Sequence, residues 1–86
     1  MKIYDLPCFD HRKSFNGKAT VIEDNGIKKL KSYETIVCKI NKNGKLIKLW
    51  DGYSATTMRH INSFVKLFDI DGGGKKWWDD LKCINR

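Results

Sequence analysis

Eighty-six residues, 41% of them apolar and 12% aromatic, make one domain with a modest core. That excludes an intrinsically disordered chain and argues against a two-lobed enzyme with a cleft between its halves. Seventeen Lys and Arg against ten Asp and Glu leave a net charge of +7, which favours polyanionic partners: nucleic acid, a ribonucleoprotein or an acidic protein surface.

The N-terminal segment, residues 1–16, lacks clear periodicity and holds the only proline, Pro7. It reads as an irregular arm with a short edge strand at Lys2 to Tyr4, anchored by Phe9 and Phe15. From Lys18 the chain turns β-like. Lys18 to Glu23 is rich in β-branched residues, and Asp24-Asn25-Gly26 is a hairpin signal because these residues tolerate positive φ. A return strand starts near Ile27. Ser32 to Ile40 alternates Glu34, Ile36, Cys38 and Ile40 against Tyr33, Thr35, Val37 and Lys39, which predicts Ile36, Cys38 and Ile40 on the core face. Asn41-Lys42-Asn43-Gly44 predicts a second hairpin turn before a strand from Lys45 to Trp50. Residues 17–50 therefore form an antiparallel meander of three strands, or four if Ile27 to Leu30 separates from Ser32 to Ile40.

The strongest helical signal follows over residues 54–68. Ser54 is placed to cap the first turn, with Tyr53 and Met58 as a hydrophobic staple. Met58, Ile61, Phe64, Val65, Leu67 and Phe68 supply the apolar stripe, leaving Arg59, Asn62, Ser63 and Lys66 outside. Gly72, Gly73 and Gly74 are the expected terminators. A second, shorter helix over 75–84 is expected from Trp77, Trp78, Leu81 and Ile84. The order predicts a single α+β domain: a three- or four-stranded antiparallel β-meander followed by two C-terminal helices packed on one face.

Several motifs carry chemistry only in part. Asp69, Asp71, Gly74 and Asp80 approach a calcium loop, but Lys75 and Lys76 stand where cations oppose binding. Cys8 and His11 are half a zinc site with no second close pair, and three widely spaced cysteines argue against a disulfide framework and for a reducing compartment. No metal or cofactor is expected. His60 with Tyr33, Tyr53, Ser54 and Arg59 invites a catalytic reading, yet no orienting carboxylate stands at a recognisable spacing and the cap explains Ser54 and Tyr53. Trp77 and Trp78 diverge by about 100° on a helix, so one belongs to the core and the other to its edge. Beside Lys75 and Lys76, an exposed tryptophan would serve as a stacking platform or an interface anchor. The glycines ahead of those lysines could present backbone N–H groups to a nucleic-acid phosphate.

Taken in order, Ser32-Tyr33-Glu34-Thr35 with Val37, then Trp50 with Gly52-Tyr53-Ser54-Ala55-Thr56-Thr57, Arg59-His60-Ile61-Asn62 and Phe64, then Gly72-Gly73-Gly74-Lys75 and Trp77-Trp78, form a pattern. It resembles small uncharacterised proteins of phages, plasmids and related mobile elements in low-GC Gram-positive bacteria, over about Phe15 to Leu81. The resemblance implies a small accessory protein that acts by binding: repressing transcription, coating nucleic acid, or blocking a host defence enzyme as anti-CRISPR proteins do. It assigns no role to any single residue.

The sequence thus predicts a non-enzymatic, cytoplasmic protein, monomer or homodimer, with neither a signal peptide nor a transmembrane run. Its basic surface would engage nucleic acid or a nucleic-acid-handling complex, with an inhibitor of a host defence nuclease as one form of that activity. Arg59, Lys66, Lys75, Lys76 and an exposed Trp77 or Trp78 are the candidate contacts. The alternatives are a protein–protein adaptor or inhibitor that never touches nucleic acid, and a small DNA-binding transcriptional regulator.

Overall fold

The computed structural model describes residues 1–7, 17–52, 54–70, 72 and 74–83. Five antiparallel strands form one sheet in chain order: β1 (Lys2–Asp5), β2 (Ala19–Asp24), β3 (Ile27–Ser32), β4 (Thr35–Ile40) and β5 (Leu46–Lys48). Two helices follow, α1 (Ala55–Leu67) and α2 (Lys75–Asp80). The α+β class and the meander-then-helices order are as the sequence predicts. The strand count is higher, because β3 and β4 are separate and Lys2–Asp5 pairs with Thr20–Glu23 of β2. The edge strand expected at Lys2 to Tyr4 is thus present and runs one residue further, to Asp5. The predicted anchors Phe9 and Phe15, and the Tyr53 half of the staple, lie outside the described residues.

Turn chemistry explains the register. Asn25 (φ 54°) and Gly26 (φ 81°) are both left-handed, the geometry of a type I′ hairpin, whose twist matches that of the strands it joins. Between β3 and β4, Ser32 pairs with Thr35, so Tyr33 and Glu34 are the loop, and Tyr33 is held at φ 55° with neither Gly nor Asn to announce it. At the next turn Asn41 Oδ1 accepts the N–H groups of Asn43 and Lys45, each at 3.0 Å.

Leu30 pairs with Cys38 while Lys31 pairs with Ile36. Val37 is therefore an extra residue, a β-bulge that turns two consecutive side chains inward. Val37 is 1% exposed and Cys38 0%. The predicted core position of Ile36 is thus corrected: opposite Lys31, it lies on the outer face and is half-buried. The bulge also ends β5 early, since the N–H groups of Leu49 and Trp50 both reach Val37 O, at 2.9 and 3.2 Å.

One side of the sheet carries the core. Val21, Leu30, Val37, Cys38 and Ile40 meet Met58, Ile61 and Phe64 of α1 and Trp78 of α2 in a single cluster. Val21, Leu30, Cys38, Ile61, Phe64 and Trp78 are each fully buried. Burying side chains of this size contributes roughly 1.5–3 kcal/mol apiece relative to exposure. Both helices pack on this face, and among the described residues no helix packs on the other.

Candidate nucleic-acid interface

Ser54 caps α1 as expected: it is extended (φ −149°, ψ 141°) and its hydroxyl accepts the Thr57 N–H at 3.1 Å. The helix ends before the glycines expected to stop it. Ile70 N–H bonds Val65 O at 2.8 Å and Asp69 N–H bonds Lys66 O at 3.2 Å. Asp69 stands at φ 59°, so this is a Schellman motif with aspartate in the position glycine usually takes. On the outer side of α1, Arg59, Asn62 and Lys66 recur at helical spacing, Asn62 and Lys66 exposed and Arg59 half-buried. Ser63, expected beside them, is buried at 6% exposure.

α2 stops at Asp80 rather than at residue 84, because Leu81 turns extended (φ −74°, ψ 139°). Trp78 is the core tryptophan: it is 0% exposed, and its indole N–H donates to Gly52 O at 3.1 Å. As a surface contact it is corrected. Trp77 is the edge residue, half-buried, with its ring centre 6.2 Å from that of Trp78. A Cβ on Gly72 would meet Val65 Cγ2 at 2.9 Å and the Trp77 ring at 3.5 Å, so glycine lets the loop close against both.

Between the helices lies an open concavity of about 430 Å³ lined by Asn62, Val65, Lys66, Asp69, Ile70, Gly72 and Gly74. Lys75 and Lys76 follow Gly74 and are exposed, and Lys75 Nζ is 2.8 Å from Asp79 Oδ2. Of the predicted contacts Lys66 lines the concavity, Trp77 stands beside its Gly72, and Lys75 and Lys76 begin the helix just after its Gly74. Arg59 lies two turns back along α1, outside the concavity's lining.

His60 has a structural environment. It is 1% exposed, with Nδ1 2.8 Å from Ser32 Oγ, and that hydroxyl is 3.0 Å from Thr57 Oγ1. The Tyr33 ring stands 5.7 Å away. Burial, and next the Arg59 charge, hold the imidazole below its ordinary value of 6.5, so it is neutral at pH 7. Burial likewise pushes the Cys38 thiol up, which keeps it protonated and unreactive. Among the described residues no group of three His, Cys, Asp or Glu is placed to hold a metal.

The family described as "Family of unknown function (DUF8033)" matches residues 4–80, which run from within β1 to the end of α2. The chain belongs to this family. No curated protein and no solved structure matches it.

The DUF8033 fold also presents a basic surface that the sequence reading passed over. Strand pairing places Ile3, Ile22, Lys29, Lys39 and Ile47 in one row across all five strands. Directly paired residues share a face, and the adjacent Leu30 and Cys38 are core residues, so this row lies on the side opposite the core. Lys31 and Ile36 form the next pair on the same side. The signal was present as alternation, in Lys29-Leu30-Lys31 and Cys38-Lys39-Ile40. Read only for its apolar members, it showed the core and not the surface opposite.

Proposed function

We propose that this DUF8033 chain is a non-enzymatic accessory protein of a mobile element, working in the cytoplasm, whose basic surface engages nucleic acid or a nucleic-acid-handling complex. Inhibition of a host defence nuclease is the form in which such binding would serve the element. The observation that carries this reading is a concavity beside α1 that Asn62 and Lys66 line, with the Trp77 ring close to Gly72 of its lining and the exposed Lys75 and Lys76 following Gly74. Ammonium groups and an amide satisfy a phosphate backbone without reading sequence, and a partly exposed indole offers a face to a base. Binding rather than catalysis accords with the burial of His60, whose hydrogen-bonding neighbour Ser32 is buried, as is Thr57, which meets that same hydroxyl. No helix among the described residues is long and apolar enough to cross a membrane.

The test is anisotropy of a labelled oligonucleotide titrated with the protein at rising salt. Each phosphate neutralised releases counterions, so affinity should fall steeply between about 50 and 200 mM salt. Reversing two charges, Lys66→Glu with Lys76→Glu, should weaken binding about tenfold or more. Affinity that ignores both salt and charge reversal would remove nucleic acid as the ligand.

A further inference from the structure

We propose that the open face of the sheet is a second binding surface, specific for single-stranded nucleic acid, with phosphates on Lys29, Lys31 and Lys39 and an unpaired base in the apolar concavity beside β5. This rests on the nucleic-acid reading above and adds a site that runs from the sheet face opposite the core to the β5 edge, where Leu46 and the α2 cap residue Leu81 join the lining. Lys29 and Lys39 are directly paired on that face, and Lys31 is two residues along β3 from Lys29. Neighbouring strands lie about 4.8 Å apart and alternate residues about 6.8 Å, so the three lysines leave the sheet from neighbouring positions on one face. Like charges directly opposite destabilise a sheet, and an anion laid across them removes that cost. The Lys31 ammonium lies 3.9 Å from Glu34, a carboxylate 95% exposed, and an exposed pair of this kind competes weakly with a polyanion.

The row does not end at the lysines. Across Lys39 stands Ile47, and both line a concavity of about 520 Å³ whose apolar walls also include Leu46, Leu49 and Leu81. Its described lining contains Lys39, Lys45 and Lys82 and no carboxylate. The size falls within the range of small-ligand pockets, and a few polar groups around apolar walls are their usual make-up. At the rim, Asn41 commits its Oδ1 to two backbone N–H groups, leaving the amide NH₂ as the donor it can offer. A base that enters must leave its stack, which a single strand permits and a duplex resists. Ile3, Ile22 and Ile36 flank the lysines and would gain contact only with exposed bases and sugars. The row has no aromatic platform, so recognition here is by charge and apolar burial and tolerates sequence. A second copy of the chain would set lysine against lysine.

The experiment compares a labelled single strand of about 12 nucleotides with its duplex, using wild type, Lys29→Gln with Lys39→Gln, Ile47→Ser, and Lys66→Gln with Lys76→Gln. Thermal melts confirm that each variant is folded. The sheet pair should weaken single-strand binding about tenfold and flatten the salt slope by about two units. Ile47→Ser should weaken single-strand binding, spare duplex binding and leave the slope unchanged. Single-strand loss in the helix pair alone overturns this inference while the nucleic-acid reading stands. Equal or tighter duplex binding by wild type overturns it too. Wild type that binds neither at low salt overturns the nucleic-acid reading itself, and the face then suits an acidic protein.

Discussion

Lys48 shows how much one side chain can organise. It follows the inward-facing Leu46 along β5 and is 3% exposed, yet it carries an ammonium. That group donates to Trp78 O at 2.8 Å and Leu81 O at 3.4 Å, and lies 4.9 Å from the centre of the Trp78 ring. These carbonyls are at the C-terminal end of α2, the negative end of its dipole, where a cation is favourable. Lys48→Met keeps the apolar stem but removes both bonds, leaving Trp78 O with the Leu81 N–H alone, so it should cost about 1–2 kcal/mol, read as a lower urea midpoint. An unchanged midpoint would mean that desolvating the ammonium cancels its bonds. Asp69 works in the opposite sense. Left-handed backbone and a negative charge at a helix C-terminus are both unfavourable, so Asp69→Gly should stabilise by roughly 0.5–1 kcal/mol. It should also tighten polyanion binding at the concavity that Asp69 lines. For His60 the folded-state pKa is depressed, so the unfolded chain takes the proton more readily. Its contribution is fully present above about 6.5 and is lost as pH falls through the lower folded value. Wild type should lose stability from pH 7 to 5 more steeply than His60→Gln, measured by urea unfolding at each pH; parallel curves would deny the linkage.

At the scale of elements, what could be read beforehand was whatever local chemistry decides. Ser54 capped the helix where its hydroxyl said it would, and Asn25-Gly26 turned the chain because both residues accept positive φ. Elements fixed by their neighbours were not legible. The partner of the edge strand expected at Lys2 to Tyr4 is one such case, since only the register sets Lys2–Asp5 against β2. The Ser32–Thr35 turn places a tyrosine in a conformation tyrosine disfavours, so nothing local announced it. The bulge at Val37 broke the alternation that had placed Ile36 inside, and a bulge is visible only once two strands are in register. The same limit applied to the candidate site. Lys66, Lys75 and Lys76 were found by their position on helices, whereas Lys29, Lys31 and Lys39 needed the sheet to bring them together. The dependence of α2 on its neighbours gives a further expectation. Six residues are too few for an independent helix, so Trp78→Ala should release the element as well as cost about 3–5 kcal/mol. Hydrogen exchange should then show α2 amides unprotected under conditions where those of α1 remain protected; joint loss would mean the helices form one cooperative unit.

Across the whole molecule the charge works over a length that salt controls. The fold measures 31 × 31 × 24 Å and the chain carries +7. At about 0.01 M ionic strength the screening length is roughly 30 Å, so every lysine repels every other, and at 0.15 M it is about 8 Å and only neighbours interact. Among the described residues, ion pairs that salt would weaken include the exposed Lys75 with Asp79 and Lys31 with Glu34, and exposed pairs contribute about 0–1 kcal/mol. Self-repulsion spread over the surface, with Lys29 directly opposite Lys39 as its closest case, outweighs them. The free protein should therefore melt at a higher temperature as sodium chloride rises from about 0.01 to 0.15 M. Over the same range its affinity for oligonucleotide should fall, because the charges that salt relieves in the free protein are those a polyanion would neutralise. Two opposite responses from one set of lysines are a stronger signature than either alone. Differential scanning calorimetry gives the first and anisotropy the second. A melting temperature that fell with salt would show favourable ion pairs dominating the fold, and would count against the net self-repulsion from which both salt responses are argued.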